Sequence, residues 1–139
     1  MKIINEQLLN DVQMKAKESP RLRMNYNFHQ SLEDKCHRFL NAVEPGTVVP
    51  VHHHVTKDET FILLRGKVRV LTYNDEGEVV DEVVLSRETG LYGVDIPKNT
   101  WHNLEALESS IIFEVKEGPF VEHEQDGILE VKKGGSKSL

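Results

Sequence analysis

Residues 46–66 read GTVVPVHHHVTKDETFILLRG, a run holding three consecutive histidines, a glutamate five residues beyond the last of them, and a glycine at either end. Imidazole nitrogens and a carboxylate are the usual protein donors to a divalent transition-metal ion. On an extended strand, successive side chains point to opposite faces, so His52 and His54 share one face and His53 takes the other. Thr56, Lys57 and Asp58 suit a turn, after which Glu59 opens a returning strand with the apolar run Phe61 to Leu64. That return brings the carboxylate back beside the pair. A further donor must come from elsewhere, and the turn-like run IPKNTWH, residues 96–102, offers His102. His52, His54, Glu59 and His102 are therefore the candidate metal ligands, while His53 is expected to pack or face solvent. For an acid or base beside them, Glu114 and Arg38 are the candidates, each equally readable as a surface group.

The spacing of Gly46, His52, His54, Glu59 and Gly66 resembles, position for position, the first motif of the cupin superfamily. Pro97 and His102 resemble the second motif, with Asn99 where that superfamily usually has glycine; asparagine tolerates the left-handed backbone that glycine provides. The runs NAVEPGTVVPVHHH, GVDIPKNTWHNLEAL and FEVKEGP further resemble the WbuC family of cupin metalloproteins, found near surface-polysaccharide genes in some bacteria. The resemblance implies an all-β cupin double-stranded β-helix, or jelly-roll barrel. It also implies one divalent metal ion (Fe, Mn, Ni or Zn), a small-molecule ligand, and pairing into a homodimer through an edge strand. Three imidazoles and one carboxylate would leave an octahedral ion two free positions and a tetrahedral zinc almost none. Isomerase, dioxygenase and hydrolytic chemistry on a small polar molecule such as a sugar derivative all stay open, as does a non-catalytic module in which the ion captures a ligand or stiffens the barrel.

At 139 residues the chain is long enough for one domain with its own core. A net charge of −6 lacks the basic footprint that nucleic acid or an anionic membrane surface requires. A single cysteine, Cys36, cannot close an internal disulfide and is expected to be an inert buried thiol. No run has the length and apolarity of a signal peptide or a membrane span, so the expected compartment is the cytoplasm.

Several short elements must position the four ligands. Leu8, Leu9, Val12 and Ala16 recur at helical spacing, predicting a helix over residues 5–17 capped by Asn5 and stopped by Ser19 and Pro20. From Arg21 to His29 the pattern alternates strictly: Leu22, Met24, Tyr26 and Phe28 form one face, Arg21, Arg23, Asn25, Asn27 and His29 the other. That polar row is either a solvated face or a surface for an anionic substrate group or a partner chain, and the segment is the candidate pairing edge. Further strands are expected at residues 36–43, 61–64, 67–73, 78–85, 91–96, 101–106 and 110–116, with a hairpin turn at Asn74 to Gly77. If the ligands face inward, alternation sends Val48, Pro50, Phe61, Leu63 and Leu104 inward with them. Trp101 and Tyr92 are either near the mouth or, as is more common for an aromatic in a strand, packing residues. The chain thus divides into a helical segment (residues 1–20), a barrel domain (21–120) and a mobile polar tail (121–139).

Overall fold

The computed structural model describes residues 1–120 and 127–129. Helix α1 spans Glu6–Glu18; Asn5 caps it by accepting the Leu8 N–H at 3.0 Å, and the chain leaves it at Ser19, ahead of Pro20. The strands are β1 (Arg23–Asn27), β2 (Cys36–Val43), β3 (Val51–His53), β4 (Glu59–Arg65), β5 (Val68–Tyr73), β6 (Val79–Leu85), β7 (Gly93–Ile96), β8 (Trp101–Ala106), β9 (Ser110–Glu117) and β10 (Gly127–Leu129). They form two five-stranded sheets, ordered β1-β2-β9-β4-β7 and β10-β3-β8-β5-β6, with every pairing antiparallel. Sequence neighbours often lie in different sheets, so the chain winds between the two layers as a jelly roll does.

The space between the sheets is filled by Val43, Phe61 and Ile112 from the first and Val68, Val70, Leu104 and Ala106 from the second. The far face of the first sheet is covered by α1, whose Leu9, Val12 and Ala16 pack on Leu40, Ala42 and Ile111. Beside them the buried Gln13 donates to Glu44 Oε2, while Ser109 Oγ donates to Glu44 Oε1 at 2.6 Å, so both carboxylate oxygens are engaged.

Residues paired across an antiparallel ladder share a face, which decides what the sequence left open about β1. Arg23 pairs with Val43, Asn25 with Asn41 and Asn27 with Phe39. The polar row therefore lies on the inner face of the sheet, while Met24 and Tyr26, joined by Phe28 just past the strand, pack with the cluster under α1. The same parity corrects the reading of Cys36. It shares the outer face of β2 with Leu40 and Ala42, but α1 covers only the end where those two lie, and Cys36 is exposed. Of the stretch 121–139, expected to be mobile, residues 127–129 form β10 against β3, and the rest lies outside the described residues. Among the described residues, no helix is long and apolar enough to cross a membrane.

Candidate metal centre

Two elements of one sheet and one of the other meet at the centre. His52 on β3 pairs directly with His102 on β8, and Glu59 opens β4 in the facing sheet, paired with Ile96 and Lys116. One donor atom each from His52, Glu59 and His102 lies within 4.8 Å of the others. His54, one residue beyond β3, stands farther out: its Nε2 is 3.8 Å from Glu59 Oε1, and its ring centre is 5.3 Å from that of His52 and 6.2 Å from that of His102. His53 takes the opposite face and stacks on Trp101, with ring centres 3.6 Å apart and planes 9° from parallel.

Backbone carbonyls fix the tautomers of two rings. His52 Nδ1 is 2.9 Å from Pro50 O and His102 Nδ1 is 2.7 Å from Thr100 O. A carbonyl oxygen only accepts, so each Nδ1 carries the hydrogen and each neutral ring turns a bare Nε2 toward the centre. His102 Nε2 touches Glu59 Oε1, both atoms are buried, and neither finds a hydrogen bond of good geometry. A lone pair pressed on a carboxylate requires a cation between them, either a proton or a metal ion. The three donors could hold such an ion.

The electrostatics point the same way. Burial, followed by the charge of His102, pulls His52 down to about 4, so that ring is neutral at ordinary pH. Burial alone would raise Glu59, but His102, His54 and His52 together hold it below the usual carboxylate range. For His102, burial works downward and is outweighed by the close contact with Glu59 and its charge, leaving its proton affinity raised. A metal ion and a proton therefore compete for that nitrogen.

The centre opens into a cavity of about 380 Å³ whose lining includes Arg21, Arg23, Asn41, His52, His102 and Glu114. Phe61 and Leu104 line it as alternation predicts, and so does Pro50, whereas Val48 is 59% exposed and Val49 lines the cavity in its place. Residues 47–50 precede β3 and are not in a strand, so period-two counting does not reach back through them. Neither Trp101 nor Tyr92 lines the cavity, so the mouth position fails for both, while Trp101 packs against Val51, Leu71 and Tyr73. Trp101 faces outward with His53 and donates its Nε1–H to Asp75 at 3.0 Å, and Tyr92 is exposed beside a separate cavity lined by Leu63 and Arg65. Leu63 itself packs against the core between the sheets.

Glu114 is in the cavity wall, and Arg38, exposed on the other side of the sheet, is not. Asn41 donates to Glu114 Oε1 at 3.0 Å, while the buried Asn41 Oδ1 has no hydrogen-bond partner among the described residues. A sequence signal for both existed: Asn41 falls on the same parity as Phe39 and Val43, and Glu114 on that of Ile112. Burial, and after it the charge of Glu59, pushes the Glu114 carboxyl from its ordinary 4.5 up to about 7. In the native state it keeps its proton while the unfolded chain has already lost its own. Stability is therefore greatest below the ordinary value and is lost as pH rises through about 7. Glu114→Gln, which keeps the shape without the charge, is expected to raise the melting temperature of chelator-treated protein by about 3–10 °C near pH ~8 and by almost nothing near pH ~4. Equal shifts at both pH values in thermal melts would contradict the buried carboxylate.

The family model described as "Domain of unknown function (DUF6016)" matches residues 4–85. No curated protein matches the chain. Among solved structures, the capsular polysaccharide assembling protein CapF of Staphylococcus aureus superposes with a TM-score of 0.65 at 24% identity, over 81% of this chain and 31% of its own. CapF has also been crystallised with the inhibitor 3-isopropenyl-tropolone. Oxalate decarboxylase from Bacillus subtilis gives 0.56 at 17% identity, over 77% of this chain and 27% of its own. A cupin superfamily protein from Desulfitobacterium hafniense gives 0.55 at 14%, over 68% and 76%. The chain spans under a third of CapF, and at these identities the likeness is one of fold: the two antiparallel sheets are a cupin jelly roll.

Proposed function

We propose, for a chain that belongs to the DUF6016 family and has the cupin fold, a mononuclear metal-dependent enzyme acting on a small polar molecule. The observation that carries this reading is the buried contact of His102 Nε2 with Glu59 Oε1, beside a second Nε2 fixed by the Pro50 carbonyl. His52, Glu59 and His102 would hold the ion, and His54 would complete the set from the turn after β3. When bound, a divalent ion supplies Lewis-acid polarisation of a substrate oxygen. The chain's own groups do the rest. The Phe61 and Leu104 side chains keep that end of the cavity dry, Asn41 Oδ1 is left to accept a substrate hydroxyl, and Glu114 holds a proton at a carboxyl anchored by Asn41. Its raised proton affinity suits exchange with a substrate carbon or oxygen near neutral pH, which supports isomerase-type proton transfer over oxygen chemistry.

Resemblance to the WbuC family, and likeness to a capsular polysaccharide assembling protein, support a sugar derivative linked to surface polysaccharide as the substrate. β1 is an edge of its sheet, which supports pairing of two copies through it, and the lone cysteine supports a cytoplasmic setting. Metal content of protein made without a histidine tag tests the central point. About one equivalent of divalent ion is expected near neutral pH, with occupancy falling as pH drops, because protons compete with the ion for the same imidazole nitrogens. No ion above background at any pH would leave the fold without this function.

A further inference from the structure

We infer that Arg21 and Arg23 form a subsite for an anionic group, a carboxylate or a phosphate, carried by the molecule whose other end meets the metal centre. This names the substrate class for the site just proposed and rests on that reading of the cavity.

Both arginines line the same cavity as His52, His102 and Glu114. Their placement is built into the backbone. Thr47 Oγ1 donates to Arg21 O at 2.7 Å, Leu22 N donates to Ser19 O at 3.0 Å, and Glu44 N donates to Leu22 O at 2.9 Å. Leu22 between them adopts φ +57°, a left-handed conformation that disfavours a leucine. Arg23 Nη1 donates to Val48 O at 3.0 Å, which uses one of its five N–H donors and leaves a fork free for two oxygens.

The charge pattern is the second line of argument. Acidic residues outnumber basic ones by 23 to 17, and other partly buried arginines are paired: Arg65 with Glu6, Arg69 with Glu82 and Glu105. Among the described residues, neither Arg21 nor Arg23 meets a carboxylate. Burial, and then the charge of Arg21, lowers the proton affinity of Arg23, the signature of two like charges held close in a partly dry place. An anion between them would relieve that repulsion. The rest of the wall suits a polyhydroxylated body between two charged ends: Asn25 and Asn41 face one another across β1 and β2, and Asn41 keeps a vacant acceptor. A volume of about 380 Å³ holds a small sugar derivative with one such group.

The full-length chain should be titrated with inorganic phosphate, malonate and, as a neutral control, glucose, following amide shifts and heats, in both chelator-treated and metal-loaded forms. Wild-type protein is expected to bind phosphate or malonate and not glucose. Arg21→Gln/Arg23→Gln should weaken that binding by about 10-fold or more, the loss of a charged bidentate contact, with metal content unchanged. Tighter binding of phosphate marks a phosphorylated substrate, and tighter binding of malonate a carboxylated one. Arg21→Gln alone, at an exposed position, guards against misfolding and should weaken binding part of the way. Equal binding by wild type and the double variant, or none by wild type, overturns the subsite. Anion binding that depends on the arginines in protein that takes up no metal supports the subsite while the metal reading fails. Metal uptake without anion binding does the reverse.

Discussion

His102→Ala is expected to reduce bound metal from about one equivalent to background, while His53→Ala leaves it unchanged. The two side chains are separated by their surroundings and not by type. His102 is 1% exposed, its Nε2 abuts Glu59, its ring centre is 4.4 Å from that of His52, and Phe61 packs beside it at 6.1 Å. Removing it takes away one donor and leaves Glu59, 3% exposed, without its principal counter-charge. Breaking a buried pair from one side costs about 3–5 kcal/mol, so metal-free His102→Ala should also melt well below metal-free wild type. Among the described residues, what the His53 ring has to lose is its stack on Trp101. Elemental analysis and thermal melts of both variants decide the matter. Full metal retention by His102→Ala, or its loss in His53→Ala, would mean that the ion sits elsewhere.

The second large effect belongs to a glycine. Gly66 adopts φ +89°, and a Cβ there would collide with the Ser109 carbonyl and with Ser110 Oγ and Cα. Ser110 Oγ cannot step aside cheaply, because it accepts the Lys67 N–H at 2.9 Å and lies 2.7 Å from Glu108 O and 3.1 Å from Lys67 O, between which its own hydrogen is shared. Gly66→Ala combines left-handed strain with a backbone clash and should cost about 3–5 kcal/mol. Gly46→Ala is the control. Its φ is +95°, but the nearest atom to a Cβ is the flexible Leu22 Cδ1 at 3.4 Å, so backbone strain of about 1–2 kcal/mol is the main term. Denaturant titration should therefore rank Gly66→Ala far below Gly46→Ala in stability. The reverse order would refute the packing argument.

Much of the fold was readable because local patterns and long-range packing agree. β2 spans the expected residues 36–43, Asn5 caps α1, and Asn99 takes φ +67°, the left-handed backbone that the glycine it replaces would have supplied. Prediction failed where a side chain's environment depends on a partner far along the chain. Cys36 is exposed because α1 ends its coverage at Leu40, which no property of residues 36–43 announces. Val48 points outward because the strand starts three residues later, at Val51. The polar row of β1 could not be assigned to solvent or cavity until its register with β2 was known. Glu114 was named from the sequence as an acid or base, without its side of the sheet; Asn41 was legible in principle, as a polar residue on the same parity as Phe39 and Val43, where a buried polar group needs a reason.

His52 and His102 belong to one layer of the jelly roll and Glu59 to the other, and the hydrogen-bonded ladders run within each layer. An ion held by all of them would be a rivet through the seam. Loading it would stiffen the whole barrel against splaying at that end, and stripping it would let the layers part there before either ladder frays.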